Sequence, residues 1–180
     1  FMFIKNELLK KLSNPIRGWF GHKKPFNFDL NYIPDENINR FSIGTPPILS
    51  LYAMETGIDI TLKAGIKSIR KKSLLQTEFF ITLLNKKLVP LGYNLESPKE
   101  KSKRGAHITI SHKFSWQICQ ALIQGINNSV KIIPDFRPPN FIRFGISPLY
   151  NRFEDLFIVV KRLEDIVAGK EYMNFNSEKK

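Results

Sequence analysis

The sequence predicts an α+β fold, and three observations predict it. Beyond Pro90 the hydrophobic period shortens towards the alternation of strands. Four short strand candidates are interleaved with two helical stretches in the order strand, strand, helix, strand, strand, helix. That order gives an antiparallel sheet covered by helices over about residues 90–168. A chain of 180 residues can bury about 70% of the surface its unfolded form exposes, enough for a real core.

From the N-terminus, Phe1 to Lys5 is a short apolar run that reads as a buried strand. Residues 6–15 are basic and ambiguous. Pro15 to Arg40 is dense in Gly, Pro, Asn and aromatics without a sustained period and reads as a long ordered loop, a length that is uncommon unless functional. At Thr45-Pro46-Pro47 a side-chain oxygen at an N-cap precedes prolines suited to a first turn, so a helix starts there. It runs through Ile48, Leu51, Tyr52 and Met54 towards Leu62, with Gly57 in its interior. After Gly65 a second helix covers about Ile66 to Leu88. The strand candidates are Tyr93–Glu96, His107–Ser111, Val130–Ile133 and Phe141–Ile146. The helices between and after them are Trp116–Ile126 and Phe153–Val167, the latter with Phe157, Val160, Leu163 and Val167 on one face. Residues 169–180 read as a frayed polar tail.

Composition narrows the function. Lone Cys119 excludes an intramolecular disulfide framework, no Cys/His cluster has zinc spacing, and a reducing compartment follows. No apolar run reaches the roughly 20 residues of a membrane span, and no signal peptide heads the sequence, so a soluble cytoplasmic protein is expected. The net charge is +12, from 28 Lys+Arg against 16 Asp+Glu. The excess is local: residues 61–104 carry eleven basic and three acidic residues, whereas 31–60 carry one and four. Lys67, Arg70, Lys71 and Lys72 interleave with Ile66, Ile69, Leu74 and Leu75 as on the solvated face of an amphipathic helix, which is favoured over a nucleic-acid patch because no nucleic-acid-binding motif accompanies it. Phosphate-loop, dinucleotide, zinc-protease and nucleophile-elbow motifs are absent.

Three constellations remain. In Gly18-Trp19-Phe20-Gly21-His22, two glycines let the backbone approach something closely, and the indole and imidazole offer polar tips on aromatic bodies; a packing anchor is the plainer alternative. In Phe41-Ser42-Ile43-Gly44-Thr45-Pro46-Pro47-Ile48, a hydroxyl and backbone N–H groups at a helix start form either an anion site or an ordinary cap. In Phe141 to Tyr150, Arg143 lies on the face opposite Ile142, Phe144 and Ile146, as either a carboxylate clamp or an exposed edge residue.

Together these segments, with Arg70-Lys71-Lys72-Ser73 and Pro148-Leu149-Tyr150-Asn151, resemble the C-terminal half of kynureninase, a pyridoxal-phosphate enzyme of the aspartate-aminotransferase fold, over roughly Phe1 to Val167. The resemblance implies hydrolysis of kynurenine or 3-hydroxykynurenine to the corresponding anthranilate and alanine. It implies that pyridoxal 5'-phosphate is the cofactor, with Trp19 on its phosphate and Thr45 on the phosphate of a neighbouring subunit in a homodimer. It also implies Arg143 on the substrate α-carboxylate and His22 near the aromatic end of the substrate. Some members carry Ser-Asn where this chain has Gly44-Thr45, and either side chain can donate to phosphate.

The family's Schiff-base lysine, pyridine-nitrogen aspartate and ring-stacking aromatic precede the segment matching Phe1, so no catalytic residue is assigned and residues 1–180 alone are expected to be inactive. The sequence opens on Phe1, which implies processing or a longer native chain. The implied organisation is 1–62 as the end of a large α/β cofactor-binding domain with a phosphate-facing loop and interdomain helix, 63–168 as the small C-terminal domain with its leading helix, and 169–180 as a disordered tail. Without its large-domain partner, the loop at 15–40 is expected to expose Trp19, Phe20, Phe26 and Phe28. The rival readings are another enzyme of the same cofactor fold, such as a cysteine desulfurase or an aminotransferase, a basic nucleic-acid-binding module at 61–104, and a gene remnant without function.

Overall fold

A computed structural model describes residues 2–125 and 130–176. The chain divides into two compact units after Ile60.

The first unit is built from turns. Residues 2–5 form no strand, and Met2 and Phe3 are exposed, because among the described residues no partner strand offers them backbone bonds; of the buried strand expected at Phe1–Lys5, Phe1 lies outside the described residues, and a single helical turn, α1 (Asn6–Leu9), follows. The long loop then carries three 3-10 turns, Trp19–Gly21, Pro25–Asn27 and Ile38–Phe41, pinned by a bridge between His22 and Pro34. Helix α2 (Ile48–Ala64) begins after both prolines and runs through Gly57. Its first backbone bond is accepted by the Pro47 carbonyl from Leu51, so Thr45 stands ahead of the helix instead of capping it. Gly65, at φ 76°, interrupts the helical path in a conformation open to glycine, and α3 (Ile66–Leu83) follows. A π-helical turn at Leu84–Leu88 extends it, matching the expected reach to Leu88.

The second unit contains a four-stranded antiparallel sheet of order β1-β2-β4-β3, with β1 at Asn94–Leu95, β2 at His107–Ser111, β3 at Asp135–Arg137 and β4 at Phe141–Gly145. The third strand lies beyond the expected Val130–Ile133, since register with β4 selects Asp135, opposite Arg143, over the apolar run before it. Helices α4 (Ser115–Gln124) and α5 (Phe153–Ala168) complete the layer; Ile126, the expected end of the former, lies outside the described residues. Helix α3 packs on β2, α4 on β3 and β4, and α5 on α3 and α4.

Alternation on β2 and β4 sends Ile108, Ile110, Ile142 and Phe144 into the core, where they meet Phe80, Leu84, Leu88, Ile118, Leu122, Leu156, Val160, Leu163 and Ile166. The buried stripe of α5 is therefore centred on Leu156, Val160, Leu163 and Ile166, and Phe157 is exposed. At the start of α5 the Asp155 carboxylate accepts the Arg152 N–H at 2.7 Å, which holds its pKa below the ordinary carboxylate value.

Residues 171–176 correct the expected tail. Glu171–Asn174 form a 3-10 turn, Tyr172 stacks on Phe114 at 4.5 Å, and Arg162 holds Glu171 through two bonds of 2.9 and 2.6 Å. A buried guanidinium needs a carboxylate partner, and this turn provides one. Residues 177–180 lie outside the described residues.

Candidate functional site

The glycines of Gly18-Trp19-Phe20-Gly21 answer what the backbone approaches. A Cβ at Gly18 would collide with the Ile43 carbonyl, and one at Gly21 would sit 2.7 Å from the Ser42 oxygen and 2.9 Å from that of Arg40. The aromatic loop therefore lies directly on the backbone of the segment that leads to Thr45, so the structure joins two of the three constellations within the first unit. No side chain larger than hydrogen fits at Gly18 without moving that segment.

On this base, Trp19 makes edge-to-face contacts with Phe20 at 4.5 Å and Phe26 at 5.7 Å. It remains 45% exposed. Phe26 and Phe28 are exposed too, whereas Phe20 is half-buried. Trp19 and His22 line one cavity of ≈ 320 Å³ together with Lys24, Pro25, Phe28 and Tyr32. His22 is buried and both ring nitrogens are engaged: Nδ1 accepts the Lys24 N–H at 2.9 Å, and Nε2 donates to the Asn31 carbonyl at 3.2 Å. Those bonds make His22 the pin of its own loop, and its ring packs edge-to-face on Tyr32 at 5.7 Å. Thr45 is exposed, and a Cβ at neighbouring Gly44 would meet nothing within 4 Å. The part-exposed Trp19 carries an indole N–H and the exposed Thr45 a hydroxyl, and each is a donor of the kind a phosphate accepts, so each residue fits a cofactor phosphate.

Arg143 belongs to the second unit. It lies on β4, flanked by β2 and β3, so it is not an edge residue; Thr109 stands opposite on one side and Asp135 on the other. Its side chain is 37% exposed, and Nη2 donates to Asp135 Oδ2 at 2.5 Å. Arg137 Nε donates to the same oxygen at 2.8 Å. Partial burial pushes the Asp135 carboxyl up, but the hydrogen bonds from Arg137 and Arg143 outweigh this and hold its pKa below the ordinary value. Of the guanidinium's five N–H groups Asp135 engages one side, which leaves donors for a bound carboxylate. Asp135 and Arg137 were not singled out from the sequence; the signal was an Asp-x-Arg pair ahead of Pro138-Pro139, visible as a partner only once strand register is known.

Two further segments meet in this unit. Lys72 Nζ donates to the Pro148 carbonyl at 2.7 Å, and Gln76 Nε2 to the Asn151 carbonyl at 2.8 Å. Asn151 in turn accepts the Ser147 N–H at 2.8 Å. Helix α3 thereby fixes the turn that follows Arg143. Arg104, 3% exposed, clamps the preceding basic loop by donating to the Pro98 and Lys99 carbonyls and to Glu78. Glu78 also pairs with Lys101, and Glu100 with Lys103, so these two acids are engaged while the basic surplus of the stretch remains. Cys119 is buried, and burial with the nearby Asp135 charge pushes its thiol up to about 11, which leaves it unreactive. Among the described residues no helix is long and apolar enough to cross a membrane.

The family model of the kynureninase C-terminal domain matches residues 69–163. A kynureninase of Pseudomonas fluorescens is 34% identical over 172 residues, 96% of this chain and 40% of that protein. A kynureninase of Geobacillus thermodenitrificans is 36% identical over 166 residues, 91% of this chain and 38% of its own length. The chain thus spans about 40% of the length of these relatives. Among solved structures, an apo cysteine desulfurase from Thermococcus onnurineus NA1 superposes with a TM-score of 0.75 at 16% identity, over 93% of this chain and 42% of that one. A C-DES mutant with glycine covalently linked to its PLP cofactor gives 0.69 at 14% identity, over 91% of this chain and 40% of that one. These two likenesses are of fold.

Proposed function

Because the chain belongs to the kynureninase family, we propose that it forms the phosphate-facing loop and the substrate-carboxylate domain of a pyridoxal-phosphate-dependent hydrolase that cleaves a carbon–carbon bond of kynurenine or 3-hydroxykynurenine. The observation that carries this reading is Arg143: a half-exposed guanidinium on an inner strand, pre-aimed by Asp135, with donors to spare. A flexible arginine would lose rotamer freedom on binding; one already held by its neighbours loses less.

The roles divide as follows. Trp19 donates its indole N–H to the cofactor phosphate, and its Gly18-backed loop holds that donor still. Thr45 donates to the phosphate of a neighbouring subunit, which makes the active form a homodimer with shared sites. Arg143 takes the substrate carboxylate in a bidentate pair and so sets the orientation of the α-carbon. His22 lends its ring edge beside the aromatic end of the substrate. When bound, the cofactor supplies an electron sink for charge developing on the substrate. No lysine of this chain is assigned to covalent attachment, so residues 1–180 alone turn over no kynurenine.

The test is kinetic. In the complete native polypeptide, Arg143→Gln raises KM for kynurenine and leaves cofactor absorbance intact, whereas Trp19→Phe weakens cofactor retention. Unchanged KM in the first variant sinks the assignment.

A further inference from the structure

We propose that Ser13, Asn14, Arg17, Tyr32 and Arg40 form a second anion site in the first unit, one that holds a single oxyanion group of phosphate or carboxylate type. These residues, with Pro34, surround a cavity of ≈ 70 Å³. That volume admits a few waters or one small oxyanion and excludes a cofactor ring.

Every polar group offered there is a donor. Arg40 is anchored by a 2.8 Å bond from Nη1 to the Leu9 carbonyl, while its Nε is buried with no acceptor. The Tyr32 hydroxyl is likewise buried without a partner. The Arg17 guanidinium lies over the Tyr32 ring, 5.5 Å from its centroid. Asn14 spends its Oδ1 on the Ile16 N–H, leaving its NH₂, and Ser13 adds a hydroxyl.

Among the described residues, no carboxylate pairs with either arginine. Of the acids between Tyr32 and Arg40, Asp35 accepts the Asn37 N–H at 2.7 Å, and Glu36 pairs with Lys23 at 2.6 Å. Two guanidinium groups around orphaned buried donors are unfavourable until an acceptor-only group joins them, and an oxyanion is the group whose geometry two forks and a phenol match. The site is distinct from the Trp19 and His22 cavity, with which it shares Tyr32 alone.

The test uses the complete native polypeptide saturated with cofactor. Inorganic phosphate is titrated against chloride at constant ionic strength, thermal stability is read, and the structure is solved with and without phosphate. Phosphate between Arg17 and Arg40, with a stability rise whose midpoint weakens about tenfold in Arg17→Gln and about threefold in Tyr32→Phe, establishes a free anion as the occupant. No phosphate response, together with a protein carboxylate seated between the two arginines, establishes the same site with a built-in occupant. Water alone between them, with variants matching the parent, overturns the proposal. Tyr32→Phe removes one oxygen and keeps the ring, so loss of folding does not obscure its result.

Discussion

Past Ile60, Phe80, Leu84, Leu88, Ile108, Ile142 and Leu163 are withdrawn completely from solvent; before it, among the described residues, Leu9 is the only buried hydrophobic side chain. Yet the earlier stretch is no poorer in hydrophobes: Phe28, Leu30 and Leu49 stand 81%, 103% and 87% exposed, and α2 buries none of its residues. The second unit is held by a core. The first is held by backbone contact at Gly18 and Gly21, by His22 bonding on both sides, and by the Lys23–Glu36 pair. A region rich in apolar surface without a core of its own is shaped for burial against something larger.

The sharpest way to break this contrast is to cut into each region. Phe80→Ala should cost about 3–5 kcal/mol in urea unfolding, because a fully buried aromatic leaves a cavity that the sheet cannot fill. Leu30→Ala should change stability by no more than about 0.5 kcal/mol. Equal losses would mean that the first unit has a core after all. In the complete polypeptide Arg143→Gln should lower kcat/KM about 100-fold, the worth of a charge-assisted pair, while Asp135→Asn, acting by positioning, should lower it less and be revealed by a rise in KM.

Glu171→Gln should destabilise the second unit by about 2 kcal/mol and open Lys170 to trypsin, since buried Arg162 loses its charged partner. Resistance equal to the parent would show that the Tyr172 stack docks this turn unaided. Gly18→Ala should weaken cofactor retention about tenfold, roughly 1.4 kcal/mol, with a shift in Trp19 fluorescence and little change in the unfolding of the second unit.

The smallest effect concerns pH. Burial, the main influence, lowers the His112 pKa; its Nδ1 accepts the Phe114 N–H at 3.1 Å and its Nε2 donates to Leu91 at 3.2 Å. A histidine with a depressed folded pKa contributes stability that is intact above about 6.5, its unfolded value, and is lost as pH falls through the folded value. Stability should therefore decline below that pH in the parent and less steeply in His112→Gln, as read by urea midpoints across pH 5 to 8.

Sequence pattern located what depends on local periodicity. β2, β4, α3, α4 and α5 announced themselves because each alternates or repeats apolar residues against one layer. β3 did not, because Val130–Ile133 is the more apolar run and an edge strand chosen by the Asp135–Arg143 pairing carries no such mark. The docked turn at Glu171–Asn174 depends on Arg162 and Phe114, distant partners that polarity alone hides. At the site, the glycines were legible as points of close approach, but their counterpart was not, since the Ile43 and Ser42 groups involved are main-chain oxygens common to every residue.

That last contact has an evolutionary corollary. One side of it is written in residue identity and the other is not: Gly18 and Gly21 are confined to a single amino acid, whereas positions 42 and 43 satisfy the same contact with any side chain whose backbone keeps its path. Covariation between the two segments would accordingly be close to zero despite their being in direct touch, and a saturation screen would register the junction at only one of its two banks.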